Sequence, residues 1–228
     1  MAFEGLSDRL AAVREVIAAQ LARSGLAHPV RIVAVTKTHG PEAVRAAHAA
    51  GLAMVGENRV QEALRKQDAL GDLPVEWHLI GSLQRNKARH AVGRFALIHS
   101  VDRADLADEL ARRVPEGARQ AVLLEVNCSG EAQKGGVAPD GLAALLEHVG
   151  ALPTLEVRGL MTMAPYTDDE GIQRATFARL RDLRERVAGA GWSLPELSMG
   201  MSGDYPAAVA EGATMLRLGT VLFGERES

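Results

Sequence analysis

Eight short apolar runs, each followed by a longer stretch, leave this chain few possible folds. The runs lie at residues 30–35, 53–56, 76–80, 95–99, 121–126, 156–161, 196–199 and 215–218. Among the stretches between them, 59–70, 104–113, 141–149 and 176–188 are amphipathic and long enough for the crossovers that join parallel strands. Such alternation predicts a parallel sheet covered by helices. Eight units within 228 residues, without a Pro/Gly/Ser-rich linker, fit a (β/α)8 TIM barrel forming one domain over residues 1–228. An open doubly wound sheet has the same periodicity and stands as the alternative.

Ahead of the first run, Leu6, Leu10, Val13, Ile17 and Leu21 recur at helical spacing. They predict an N-terminal helix within residues 1–25 that packs on the barrel, with Ser7 as its cap and Gly25 as its stop. Acids lie among its basic residues and it lacks a continuous apolar core, so it reads as neither a secretory signal nor a transit peptide. No apolar run approaches the roughly 18 residues that cross a bilayer, which argues against a membrane. A net charge of −3 gives no reason to expect a nucleic-acid partner. The single cysteine, Cys128, cannot form an internal disulfide and suits a reducing cytoplasm; it reads as a packed strand end. A cytoplasmic monomer is the expectation.

In a barrel the chemistry sits where strands end, so residues just after each run carry the functional reading. Of 26 basic residues only Lys37, Lys66, Lys87 and Lys134 are lysine, and Lys37 follows the first run directly. Strand alternation places it over Val35 and Val33 on an apolar floor, where desolvation would supply the neutral amine that attacks a carbonyl. A lysine snorkelling to water is the plain alternative. After the seventh and eighth runs come SMGMSGD and RLGTVLFGE, with hydroxyls at Ser202 and Thr220 and bare backbone at Gly203 and Gly219. Loops at these two places often hold a phosphate. An amine facing a phosphate site suggests a ligand with both an aldehyde and a phosphate: pyridoxal 5′-phosphate, or a phosphorylated sugar on a Schiff-base aldolase. His78 alternates toward the interior, as a core histidine or a ligand neighbour. QRNKARH at 84–90 reads as a solvated face, and Thr167 to Glu170 as a helix cap with an acidic first turn. No histidines are spaced as metal ligands, so no metal is expected.

The series AVTKTHG, VGENRVQEA, WHLIGSLQRNK, SVDR, EVNCSGEAQKGG, GLMTMAPY and LSMGMSGDYPAAVAEGATMLRLGTVLFG, spanning about 30 to 224, resembles the pyridoxal-phosphate homeostasis protein family. The resemblance implies a barrel of the alanine-racemase N-terminal type that holds pyridoxal phosphate as an aldimine on Lys37. It implies that Ser202, Gly219 and Thr220 bind the phosphate, that Arg217 faces the pyridine nitrogen, and that Asn58 lies beside the cofactor. Lys134 stands as a possible secondary attachment site. The implied role is a non-catalytic carrier that keeps vitamin B6 in balance and supplies apo pyridoxal-phosphate enzymes. An amino-acid racemase is the other reading. Racemases of this type add a second domain and take a tyrosine base from a partner subunit, whereas this chain ends about ten residues after the eighth run and offers only Tyr166 and Tyr205.

Overall fold

Strands form at all eight apolar runs, and each pairs in parallel with the next. In the computed structural model, which describes residues 3–71 and 73–224, the order is α1 (Leu6–Arg23), β1 (Arg31–Val35), α2 (Pro41–Ala49), β2 (Met54–Glu57), α3 (Val60–Leu70) and β3 (Glu76–Leu79). A 3-10 turn at Arg85–Lys87 leads into α4 (Ala88–Ala91), followed by β4 (Leu97–Val101), α5 (Ala104–Arg113) and β5 (Gln120–Glu125). A second 3-10 turn, Pro139–Gly141, precedes α6 (Leu142–Gly150), β6 (Leu155–Met161), α7 (Glu170–Gly189), β7 (Glu196–Ser198), α8 (Tyr205–Ala210), β8 (Met215–Leu218) and α9 (Thr220–Phe223). Met1, Ala2, Asp72 and residues 225–228, which belong to the expected domain, lie outside the described residues.

Closure separates the barrel from the open sheet. β1 pairs with β2 on one side and with β8 on the other, with Arg31 opposite Met215 and Val33 opposite Arg217. Side chains then alternate between two cores. Val33, Leu97, Leu123, Met161 and Met215 form a small apolar layer inside the barrel. Their neighbours along the strands, among them Ala34, Ile98, Leu124 and Leu216, point outward into a larger core shared with the helices.

Several expected boundaries move for local reasons. Ser7 is not the cap of α1: Gly5 precedes the helix in a left-handed conformation, φ 74°, and no side chain caps it. Gly25, at φ 65°, does follow the helix end. α7 begins at Glu170, six residues before the amphipathic stretch read from 176; the cap and acidic first turn expected within Thr167 to Glu170 are there, with Asp169 accepting from the Ile172 N–H at 3.2 Å and Glu170 in the first turn. β4 starts at Leu97, two residues after Phe95, whose carbonyl accepts from the Gln120 side chain at 2.9 Å. Along 84–90, Arg85, Arg89 and His90 are exposed while Ala88 and Ala91 are buried, as a solvated face requires.

α1 buries Leu6, Leu10, Val13 and Ile17 and lies against α8 and α9. Arg9 Nε donates to the Leu222 carbonyl at 2.7 Å. Phe3 meets both His39 and Phe223 edge-on, with ring centroids 5.3 Å apart in each case. The N-terminal segment is thereby tied to the loop after β1 and to α9.

Candidate cofactor site

A cavity of about 900 Å³ opens at the carboxyl ends of the strands, within the usual range for small-molecule sites. Lys37, Asn58, Ser202, Arg217, Gly219 and Thr220 all line it. Lys37 follows β1 with Val35 on the cavity wall beside it and Val33 in the interior layer. The desolvated setting expected for its amine is absent: the side chain is exposed, and its amine makes no hydrogen bond or ion pair among the described residues. The structure places it at the cavity mouth. Asn58, after β2, reaches the wall because Gly81 gives it room; a Cβ at Gly81 would stand 2.4 Å from the Asn58 carbonyl oxygen.

The loops after β7 and β8 are joined by one hydroxyl. Ser202 Oγ accepts from the backbone N–H of Gly219 and of Val221, each at 3.2 Å. Gly219 lines the cavity with bare backbone, and a Cβ there would meet Val35 at 3.5 Å, an ordinary contact. Two hydroxyls, Ser202 and Thr220, and the bare backbone of Gly219 thus line one side of the cavity, with the Gly219 and Val221 N–H groups engaged by Ser202.

Arg217 lies on the floor, 4% exposed, and makes no ion pair among the described residues. Its Nη1 donates to the Ser198 carbonyl and hydroxyl oxygens, both at 2.7 Å, and its Nη2 donates to the Thr162 carbonyl at 2.9 Å. One Nη2 hydrogen and the Nε hydrogen remain for a ligand. Burial draws its pKa down to about 10, with Asp204 and Glu125 opposing the shift, so the guanidinium stays charged at neutral pH.

A hydrogen-bonded ladder descends from Arg217 through the barrel. Ser198 Oγ lies 2.9 Å from His99 Nδ1, and His99 Nε2 lies 2.9 Å from His78 Nδ1. Burial pushes His78 down to about 4 and His99 well below the imidazole range, so both rings are neutral. Arginine only donates, so Ser198 Oγ accepts from it and keeps its own hydroxyl hydrogen to give to His99 Nδ1, an arrangement in which His99 Nε2–H donates to His78. His78 is therefore an interior residue one side chain removed from the Arg217–Ser198 pair. Its Nε2 has no hydrogen-bond partner and faces Glu76 Oε2 at 3.9 Å.

Glu125, Ser198 and His99 escaped the sequence reading. Glu125 ends β5, is 2% exposed and lines the cavity, and its Oε1 has no hydrogen-bond partner. Burial, with help from Asp102 and against Arg217, raises its pKa to about 7. Alternation alone could have turned these residues inward, since His99 follows Leu97 by two and Glu125 follows Leu123 by two. Lys134 reaches the rim, but its amine is engaged by the Ala164 carbonyl and by Glu131, each at 2.6 Å. Asn127 shapes that loop, donating to the Glu131 and Lys134 carbonyls at 2.9 and 3.3 Å.

Other nucleophiles and bases are poorly placed. Cys128 is buried and its thiol is pushed up to about 11. Tyr205 is buried at the start of α8, where burial raises its phenol, while Tyr166 stands fully exposed on the rim. No three His, Cys, Asp or Glu side chains among the described residues are grouped to hold a metal ion. No helix among them is long and apolar enough to cross a membrane.

Residues 10–227 match the family model described as alanine racemase, N-terminal domain. The pyridoxal phosphate homeostasis protein of Aquifex aeolicus is 45% identical over 223 residues, covering 96% of this chain and 98% of its own. That of Pseudomonas aeruginosa is 48% identical over 225 residues, covering 98% and 95%. A structure of PipY from Synechococcus elongatus with PLP bound superposes with a TM-score of 0.84 at 43% identity, covering 96% of this chain and all of that one. An alanine racemase from Clostridium difficile shares the fold, with a TM-score of 0.79 at 13% identity, and this chain spans 62% of it. Full-length relatives at this identity, together with a closed barrel whose motif residues meet in one mouth, place the chain in the pyridoxal phosphate homeostasis protein family.

Proposed function

We propose that this protein binds pyridoxal 5′-phosphate at the barrel mouth and acts as a carrier in vitamin B6 homeostasis. The observation that carries the reading is the meeting of three kinds of group on one cavity: an unengaged lysine amine at Lys37, the Ser202–Gly219–Thr220 loops, and a buried Arg217 with two donors to spare. The residues fit the group. Gly219 keeps the backbone bare at the cavity wall beside the Ser202 and Thr220 hydroxyls, and the free Arg217 hydrogens suit an unprotonated ring nitrogen. When bound, the cofactor supplies an aldehyde that condenses with a primary amine, losing water, to give a coloured C=N bond that borohydride reduces.

Lys37 is the covalent anchor in this reading, Ser202, Gly219 and Thr220 hold the phosphate, Arg217 meets the ring nitrogen, and Asn58 borders the ring. Arg217 favours a neutral pyridine and so weakens the electron sink that racemisation needs. Tyr205, with its phenol raised by burial, is a poor base near neutral pH. A non-catalytic carrier is therefore favoured over a racemase. The barrel and α1 would work as one domain over residues 1–228, as a cytoplasmic monomer that loads apo pyridoxal-phosphate enzymes.

The test is borohydride reduction of the cofactor-loaded protein followed by peptide mapping. A pyridoxyl adduct on Lys37, lost in Lys37→Ala while the fold persists, is the expected result. An adduct mainly on Lys66, Lys87 or Lys134 would overturn the assignment.

A further inference from the structure

We infer that Glu57, Glu62 and Lys66 are positioning residues that grip the backbone on both sides of Lys37 and hold it in a strained turn, so that its amine is presented to the mouth. The inference rests on Lys37 being the covalent anchor.

The strain is visible at Thr38, which follows Lys37 and has φ 69°. A β-branched residue rarely adopts the left-handed region, because its side chain crowds the backbone. Such a conformation persists where surrounding contacts over-determine it. Lys66, on α3 and 5% exposed, supplies them. Its Nζ donates to the Thr36 carbonyl at 2.8 Å, to Glu57 Oε1 at 2.6 Å and to Glu62 Oε1 at 3.0 Å. All three ammonium hydrogens are used. Glu62 Oε1 accepts the Thr38 N–H at 2.7 Å, and Glu57 Oε1 accepts the Thr36 hydroxyl at 2.6 Å.

The residue before Lys37 is therefore held by its carbonyl and hydroxyl, and the residue after it by its N–H. Both grips converge on one ammonium carried by a different element. Lys37 itself makes no side-chain contact of this kind, so its direction is set by the chain on either side. Burial raises Glu57, while Glu62 is held low because the Lys66 and Thr38 hydrogen bonds outweigh its own burial. The ammonium touches both carboxylates, Glu57 at 2.6 Å and Glu62 at 3.0 Å, and through them both neighbours of Lys37.

The experiment compares wild type, Glu62→Ala, Lys66→Met, and each variant combined with Thr38→Gly. Glu62 is partly exposed, so its variant should fold even if removing the buried Lys66 does not allow it. Two quantities are read. One is hydrogen exchange of the 36–40 backbone amides in apo protein. The other is the rate at which saturating pyridoxal becomes fixed to Lys37 under borohydride, located by peptide mapping. Exchange at Thr38 should accelerate in Glu62→Ala, and fixation should slow roughly tenfold, as expected when a reacting group is misplaced. Thr38→Gly should restore much of the fixation rate, since glycine takes the left-handed conformation without strain. Unchanged exchange and fixation in Glu62→Ala would overturn the positioning role, as would a slowed rate that Thr38→Gly leaves untouched. A wild-type adduct away from Lys37 would instead show that the anchor assignment is at fault.

Discussion

Glu125 and His78 titrate in opposite senses. Glu125 has its carboxyl raised from 4.5 to about 7, so the folded state binds the extra proton and stability falls as pH rises through that window. His78 is lowered from 6.5 to about 4, so its contribution is present above 6.5 and is lost as pH falls toward 4. Each separation corresponds to on the order of 3 kcal/mol, and the two slopes oppose one another where the windows overlap. Glu125→Gln should remove the downward slope and expose the acid-side loss, so that urea midpoints rise with pH between about 4.5 and 6.5 more steeply than in wild type. His78→Gln should tilt the profile the other way. Parallel profiles for all three proteins would show that neither group titrates as its burial implies. Lys37 and the two hydroxyls were legible in the sequence because each follows an apolar run that ends at the mouth, while Arg217, inside the eighth run, stood out as a charge on an inward-facing strand position and through the family resemblance. Glu125 and the strain at Thr38 were not: a carboxylate loses its partners, and a threonine its freedom, only when strands distant in sequence close around them.

At the scale of elements, the loops after β7 and β8 behave as one unit because Ser202 accepts two N–H groups from the second loop. Ser202→Ala leaves both donors without that acceptor, and adding Thr220→Ala removes the other hydroxyl. The double variant should weaken pyridoxal phosphate far more than pyridoxal, since hydrogen bonds to a charged group contribute roughly 1.5–3 kcal/mol each. Equal weakening of the two ligands, measured by titration, would put the phosphate elsewhere. The eight strands, the N-terminal helix and the four longer crossover helices were readable from periodicity, and α5 has the expected bounds, Ala104–Arg113, whereas α2 and the short α4, α8 and α9 were not singled out. Ends were less readable. The start of α7 was carried by the cap read at Thr167 to Glu170 and not by the apolar spacing from 176, and β4 began late where the Gln120 side chain takes the Phe95 carbonyl, a single side-chain contact that periodicity does not carry.

For the whole molecule, the same mouth must distinguish a carrier from an enzyme. With Arg217 on the floor and Tyr205 buried, the loaded protein should show no racemisation, transamination or decarboxylation across a panel of amino acids, yet should activate an apo-enzyme acceptor. Turnover of order one per second or faster would sink the carrier reading, and a trap for free cofactor would separate direct hand-over from release and recapture. Parallel alternation suggested closure without proving it; the pairing of β1 with β8 turned eight separate strand ends into one site. Closure also has a consequence for traffic. The layer formed by Val33, Leu97, Leu123, Met161 and Met215 plugs the barrel beneath the mouth, so the site is a cup and not a pipe. Cargo arrives and departs through a single opening, and a molecule already seated blocks the next. Loading and unloading must therefore alternate, and throughput is governed by residence time: a demand that outpaces departure meets a queue, however much cofactor the surroundings hold.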